Sequence, residues 1–192
     1  MPKQSLYDTT KDNQTRRFKG LGTISRKKIS KKDYTSSAFP KIKRTGRYGY
    51  KRVDYITGDF DIFRSASLRR RKKGADRKLL AKAAVANPAF TPAKNNKSHG
   101  VPDIFGGPNS TDNLINEEQD VNLRLHKRVE NSMDRFRKDN FGSNPPPLQR
   151  WGSMKMHEEF NKKGESIRRT YWVHTEAGTG TERFDQYTVT PS

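Results

Sequence analysis

The first glutamate in this sequence is Glu117. Residues 1–100 hold 27 Lys or Arg against only seven Asp, whereas residues 101–192 hold 13 Lys or Arg against 14 Asp or Glu. The whole net charge of +19 therefore sits in the first half. Like charge at that density repels itself and opposes compaction. Apolar residues make up only 30% of the chain, against roughly 45–50% in an ordinary globular protein. Such a chain buries little area to offset the entropy of ordering it. The expected fold class is a small α+β protein with much irregular structure. It has an extended basic N-terminal arm with a hairpin, a long amphipathic helix and a C-terminal β-hairpin.

The patterning divides the chain in three. Residues 1–100 read as the basic arm, 101–110 as a linker and 111–192 as a near-neutral α+β module. Within the arm, residues 1–47 show no sustained periodicity and are expected to be disordered when free. YKRVDYITGDFDIFR alternates around Gly58-Asp59 and predicts a hairpin near 52–64. Residues 68–86 are rich in Arg, Lys, Leu and Ala and predict a short helix that Asn87-Pro88 ends. NPAFTPAKNNKSHGVPDIFGGPNS, residues 87–110, is dense in Pro, Gly and Asn and reads as connecting chain. From 112 to 139, Leu114, Val121, Leu125, Val129, Met133 and Phe136 recur at helical spacing and predict one long helix. Its stripe is narrow for its length, so Val121, Leu125, Val129, Met133 and Phe136 are assigned to contact with a partner protein or a second copy. SMKMHEEFNKK at 153–163 predicts a short helix. SIRRTYWVHT and ERFDQYTVT predict two strands around the turn EAGTG, with Trp172 expected in the core.

The cations come in clusters, and these are assigned to nucleic-acid contact. They are Arg16, Arg17 and Lys19; Arg26, Lys27 and Lys28; Lys31 and Lys32; Lys43, Arg44 and Arg47; Lys51 and Arg52; and Arg69, Arg70, Arg71, Lys72 and Lys73. Lys and Arg that neutralise phosphates release counterions, which gives affinity without sequence preference. Tyr48 and Tyr50 interleave with Arg47, Lys51 and Arg52, an arrangement suited to stacking bases beside cations. The run Arg69–Lys73 also has the composition of a nuclear localisation signal.

Other chemistries find little support. There is no cysteine, which removes disulfides, Cys-ligated zinc and thiol catalysis and suits a reducing compartment or a virion interior. No N-terminal apolar segment suggests a secretory signal, and no run is long enough to span a membrane. His157-Glu158-Glu159 starts like a zinc-protease motif, but Asn161 stands where the second histidine is required. No metal and no cofactor are expected.

The reading is a non-enzymatic basic structural protein. It binds DNA or RNA without strong sequence preference, in a virion or a cytoplasmic ribonucleoprotein, with a nuclear location open to it in a eukaryote. The alternative is a linker whose arm threads across acidic proteins in a large complex. A nuclease would need carboxylates and histidine brought together, for instance Asp59, Asp61 and His99. A peripheral membrane role lacks an amphipathic helix with large apolar residues.

Overall fold

The first two strands form where the sequence shows mostly polar residues. Asn13–Phe18 (β1) and Gly22–Lys28 (β2) pair antiparallel, with Arg16 opposite Ile24. The structure is a computed structural model that describes residues 6–8, 10–37, 49–54, 60–67, 77–141, 152–176 and 181–192. Residues 13–28 are thus not the unpatterned arm expected of them. Every second residue of Gly22–Arg26 is buried, so one face of β2 belongs to the core even though cations flank it. A short helix, Lys31–Ser36 (α1), follows. Ser30 accepts from the Asp33 amide, and the Asp33 carboxylate accepts from the Ser30 amide, a reciprocal cap that ties off two orphan donors.

Next come Gly49–Asp54 (β3) and Phe60–Ser67 (β4), paired antiparallel as a hairpin. Asp54 stands opposite Phe60, and the turn expected at Gly58-Asp59 lies outside the described residues. Of the helix expected over 68–86, Arg77–Lys82 (α2) is helical, and 68–76 lie outside the described residues. Asn95–His99 (β5) and Leu114–Glu118 (β6) pair in a separate two-stranded sheet.

The stretch 87–110 is therefore not a loose connection. Asparagines within it and just beyond it act as amide staples. Asn87 donates to the carbonyls of Asn116 and Gly164 and accepts from the Asn116 amide. Asn113 both accepts from and donates to the backbone of Val101. Leu114 does not begin the long helix. Leu114 and Ile115 are both fully buried in β6.

The helix proper runs through a π turn, Val121–His126, into Lys127–Phe141 (α3). The π turn brings His126 against Glu117 of β6, with 2.7 Å between Nε2 and the carboxylate. Gly152–Phe160 (β7), Ser166–Glu176 (β8) and Glu182–Pro191 (β9) complete the large sheet. The segment expected as a helix at 153–163 is thus a strand. Met154, Met156 and Phe160 lie on its inner face with Glu158, and tertiary burial overrides the helix propensity of Met, Lys and Glu. The C-terminal hairpin forms as the sequence predicts.

The strand order is β1-β2-β9-β8-β7-β4-β3, antiparallel throughout. The class is mixed α and β, with far more sheet than the sequence suggests. Strands from both sides of residues 101–110 share this sheet, so that segment does not divide it. Its inner face presents Ile24, Met154, Met156, Tyr171, Val173, Tyr187 and Val189 to Val121, Leu125, Val129, Met133 and Phe136, all buried. The stripe assigned to a partner is packed inside its own chain, and each such side chain contributes about 1.5–3 kcal/mol by burial. Among the described residues, no helix is long and apolar enough to cross a membrane.

Candidate nucleic-acid interface

Strand alternation sorts the basic residues. On β2, Arg26 points inward with Ile24. It is 5% exposed, and its Nε donates to Asp185 at 2.5 Å. Its Nη1 donates to the carbonyls of Asp8 and Lys11, and the guanidinium stands 4.6 Å from the Tyr7 ring centroid. Arg26 is therefore a core residue, and its assignment to phosphate contact is corrected. Its signal in the sequence was the shared phase with Ile24. Burial drives the Asp185 carboxyl above its ordinary range, and Arg26 pulls it back.

The neighbours of Arg26 face out. Arg17, Lys19, Lys27, Lys28, Lys31 and Lys32 are exposed, and Arg16 is half-buried. Lys28 pairs with Asp12 at 3.4 Å, and Lys31 pairs with Glu182 at 2.7 Å. Arg17, Lys19, Lys27 and Lys32 make no salt bridge among the described residues, although the charges of Lys27 and Lys32 help hold the Asp33 carboxyl below its ordinary range. Tyr50, Lys51 and Arg52 lie on the edge strand β3. Lys43, Arg44, Arg47, Tyr48 and the run Arg69, Arg70, Arg71, Lys72, Lys73 lie outside the described residues.

α1 sits on the outer face of the sheet. Tyr34 shares a 2.8 Å hydrogen bond with Ser153 and packs against His174 and Phe184, whose rings stack at 4.6 Å. Lys155 donates to the Tyr34 carbonyl at 2.6 Å and lies over its ring, and burial lowers its pKa. His174 approaches Glu182 at 3.2 Å. Reading the sequence did not find this cluster, because its members come from four distant segments. Trp172 is on the same outer face and only half-buried, outside the core expected for it.

Asp61 and His99 do not meet. Asp61, on β4, pairs with His157 on β7 at 2.9 Å. His99 ends β5 in the small sheet, where its Nε2 lies 2.8 Å from Asn109 Oδ1. Because an amide oxygen only accepts, Nε2 carries the proton and Nδ1 keeps its lone pair. Burial lowers the His99 pKa against the opposing hydrogen bond to Asn109 and the charges of Asp103 and Glu130. Among the described residues, no three His, Asp or Glu are placed to hold a metal ion.

Behind His99 lies a fully buried ion pair. Arg169 donates to both oxygens of Glu158 at 2.8 and 2.9 Å, to Ser98 Oγ and to the His99 carbonyl. Burial opposes the charge on Arg169, but Glu158 and the other nearby anionic groups outweigh it, so its pKa is raised. The pair joins the large sheet to the small one. No protein-family model matches the sequence, and neither a curated protein nor a solved structure matches it.

Proposed function

We propose that the chain binds nucleic acid through the backbone phosphates, without strong sequence preference, as a structural component of a virion or ribonucleoprotein. One observation carries the reading. Arg17, Lys19, Lys27 and Lys32 are exposed, close in the chain and outside any salt bridge among the described residues, with Asp33 the one carboxylate whose charge Lys27 and Lys32 feel. Exposed cations that make no salt bridge among the described residues are available for a polyanion to neutralise. Four such contacts give a slope of log K against log salt of about −3 on a single strand, before the remaining basic residues are counted. Binding to labelled oligonucleotides across a salt series tests this. A steep negative slope that Lys19→Glu, Lys27→Glu and Lys32→Glu together flatten supports the reading. Absence of binding at low salt refutes it and turns attention to acidic protein partners.

A further inference from the structure

On the outer face of the large sheet, Trp172 is a large aromatic ring for which no ring contact with α1 is found among the described residues. Trp172 stands on β8 between Gln186 of β9 and Lys155 of β7. It is half-buried, and its indole N–H has no hydrogen-bond partner among the described residues and is not sealed from solvent. A tryptophan in a protein core normally finds a partner for that N–H. Next to the ring the face drops to short hydroxyl side chains. Beyond Thr170, which is itself buried, lie its cross-strand partner Thr188 and then Ser25, and the next row holds Thr190 and Thr23. The ring thus borders a lane of small polar groups.

Cations rim this lane. Lys27 pairs with Gln186, which in turn pairs with Trp172, so Lys27 is two strand spacings from the ring, about 10 Å. Arg17 lies opposite Thr23 on the edge strand. Arg168, 54% exposed, is on the far side of the lane, paired with Glu159. We infer that this face, centred on Trp172, is a stacking platform for single-stranded nucleic acid. A base lies on the indole, its neighbours' sugars and base edges lie along the Thr/Ser lane, and Lys27 and Arg17 take the phosphates. The occupant is single-stranded because a ring on an open sheet reaches only an unpaired base, whereas duplex DNA hides its base faces. Charge complementarity selects it over a neutral ligand, since Lys27 and Arg17 at this rim are exposed and belong to the half of the chain that holds the whole net positive charge.

The inference rests on the nucleic-acid reading above, and one experiment separates the two. Trp151→Phe protein leaves Trp172 as the sole indole. It is titrated with oligo(dT) and with duplex DNA of equal length, reading fluorescence and acrylamide accessibility. The expected result is quenching and shielding of Trp172 by oligo(dT), with weaker binding of the duplex. Trp172→Ala in the full chain should weaken oligo(dT) binding about 5- to 100-fold. Trp172→Phe, which keeps an aromatic face, should retain most of it and guards against loss of fold. Lys27→Ala with Arg17→Ala should lower the salt slope by about 1.4. If the chain binds oligo(dT) but Trp172 is neither quenched nor needed, or if duplex binds more tightly, the platform is refuted while the phosphate reading stands. If neither nucleic acid binds, both fall.

Discussion

Replacing Arg169 with methionine should be among the most damaging single changes in this protein. The guanidinium and the Glu158 carboxylate are both 0% exposed. Methionine matches the length of the stem but removes both hydrogen bonds to Glu158, leaving that carboxylate with Ser166 Oγ as its remaining side-chain donor. Ser98 Oγ and the His99 carbonyl also lose their donor. Breaking a buried pair from one side costs about 3–5 kcal/mol, because the surviving charge is stranded out of water. For a chain of this length, each kcal/mol moves Tm by about 2–4 °C, so Arg169→Met should melt roughly 6–20 °C below the parent. Calorimetry measures this, and a double-mutant cycle assigns it. Glu158→Leu alone should also destabilise, but Arg169→Met/Glu158→Leu should recover at least about 2 kcal/mol of the summed loss, because no unpaired charge remains. Single-variant losses under about 1 kcal/mol, or a double variant equal to the sum of the singles, would refute the argument that burial makes this pair costly to break.

Three further outcomes follow from the geometry. Gly22 has φ of +130°, and an added Cβ would come 2.2 Å from the Thr190 carbonyl oxygen. Gly22→Ala should therefore cost at least about 2 kcal/mol and loosen β2 from β9, read as faster amide exchange in both strands. Glu117 has its pKa lowered because His126 and Arg169 outweigh the burial that would raise it. A depressed folded-state pKa stabilises above the unfolded value near 4.5, and the stabilisation is lost as pH falls through the folded value. Glu117→Gln should therefore flatten the acid limb of a Tm-against-pH curve, and an unchanged limb would contradict the pairing. Ser30→Ala removes the N-cap of α1 at about 1 kcal/mol. Its effect should appear as faster exchange at Asp33 and Tyr34 with little change in global Tm.

Legibility in the sequence followed how far burial and polarity agree. The β3–β4 and β8–β9 hairpins were readable because β-branched and aromatic residues alternate there between turn residues. The stripe from Val121 to Phe136 was readable as a helix face, but not as a face turned to its own sheet. Spacing gives the stripe and not what covers it. β1 and β2 were hidden because Arg16, Arg26 and Lys27 supply charge at both phases of the alternation, and only the ion pair with Asp185, 159 residues away, makes Arg26 an interior residue. β7 was misread because Met154, Met156 and Glu158 are good helix formers, although Met154, Met156 and Phe160 keep a period of two. The asparagines of 87–116 look like loop composition. They work as side-chain substitutes for backbone pairing, a role that only the fold discloses. At the interface, the exposed cations were legible as a class. Which of them share a face with Trp172 depends on register across four strands.

The strand order has a consequence for how the protein is made. β2 has one lasting neighbour besides β1, and that neighbour is β9, more than 150 residues later in the chain. On a ribosome that adds about 5–20 residues per second, the 13–28 hairpin waits many seconds with an open, cation-bearing edge before Glu182–Pro191 emerges to close it. A lone hairpin is marginal in water, so the N-terminal strands depend on the C-terminal one for their persistence. Like charge at the density of the first half opposes pairing of one such open edge with another.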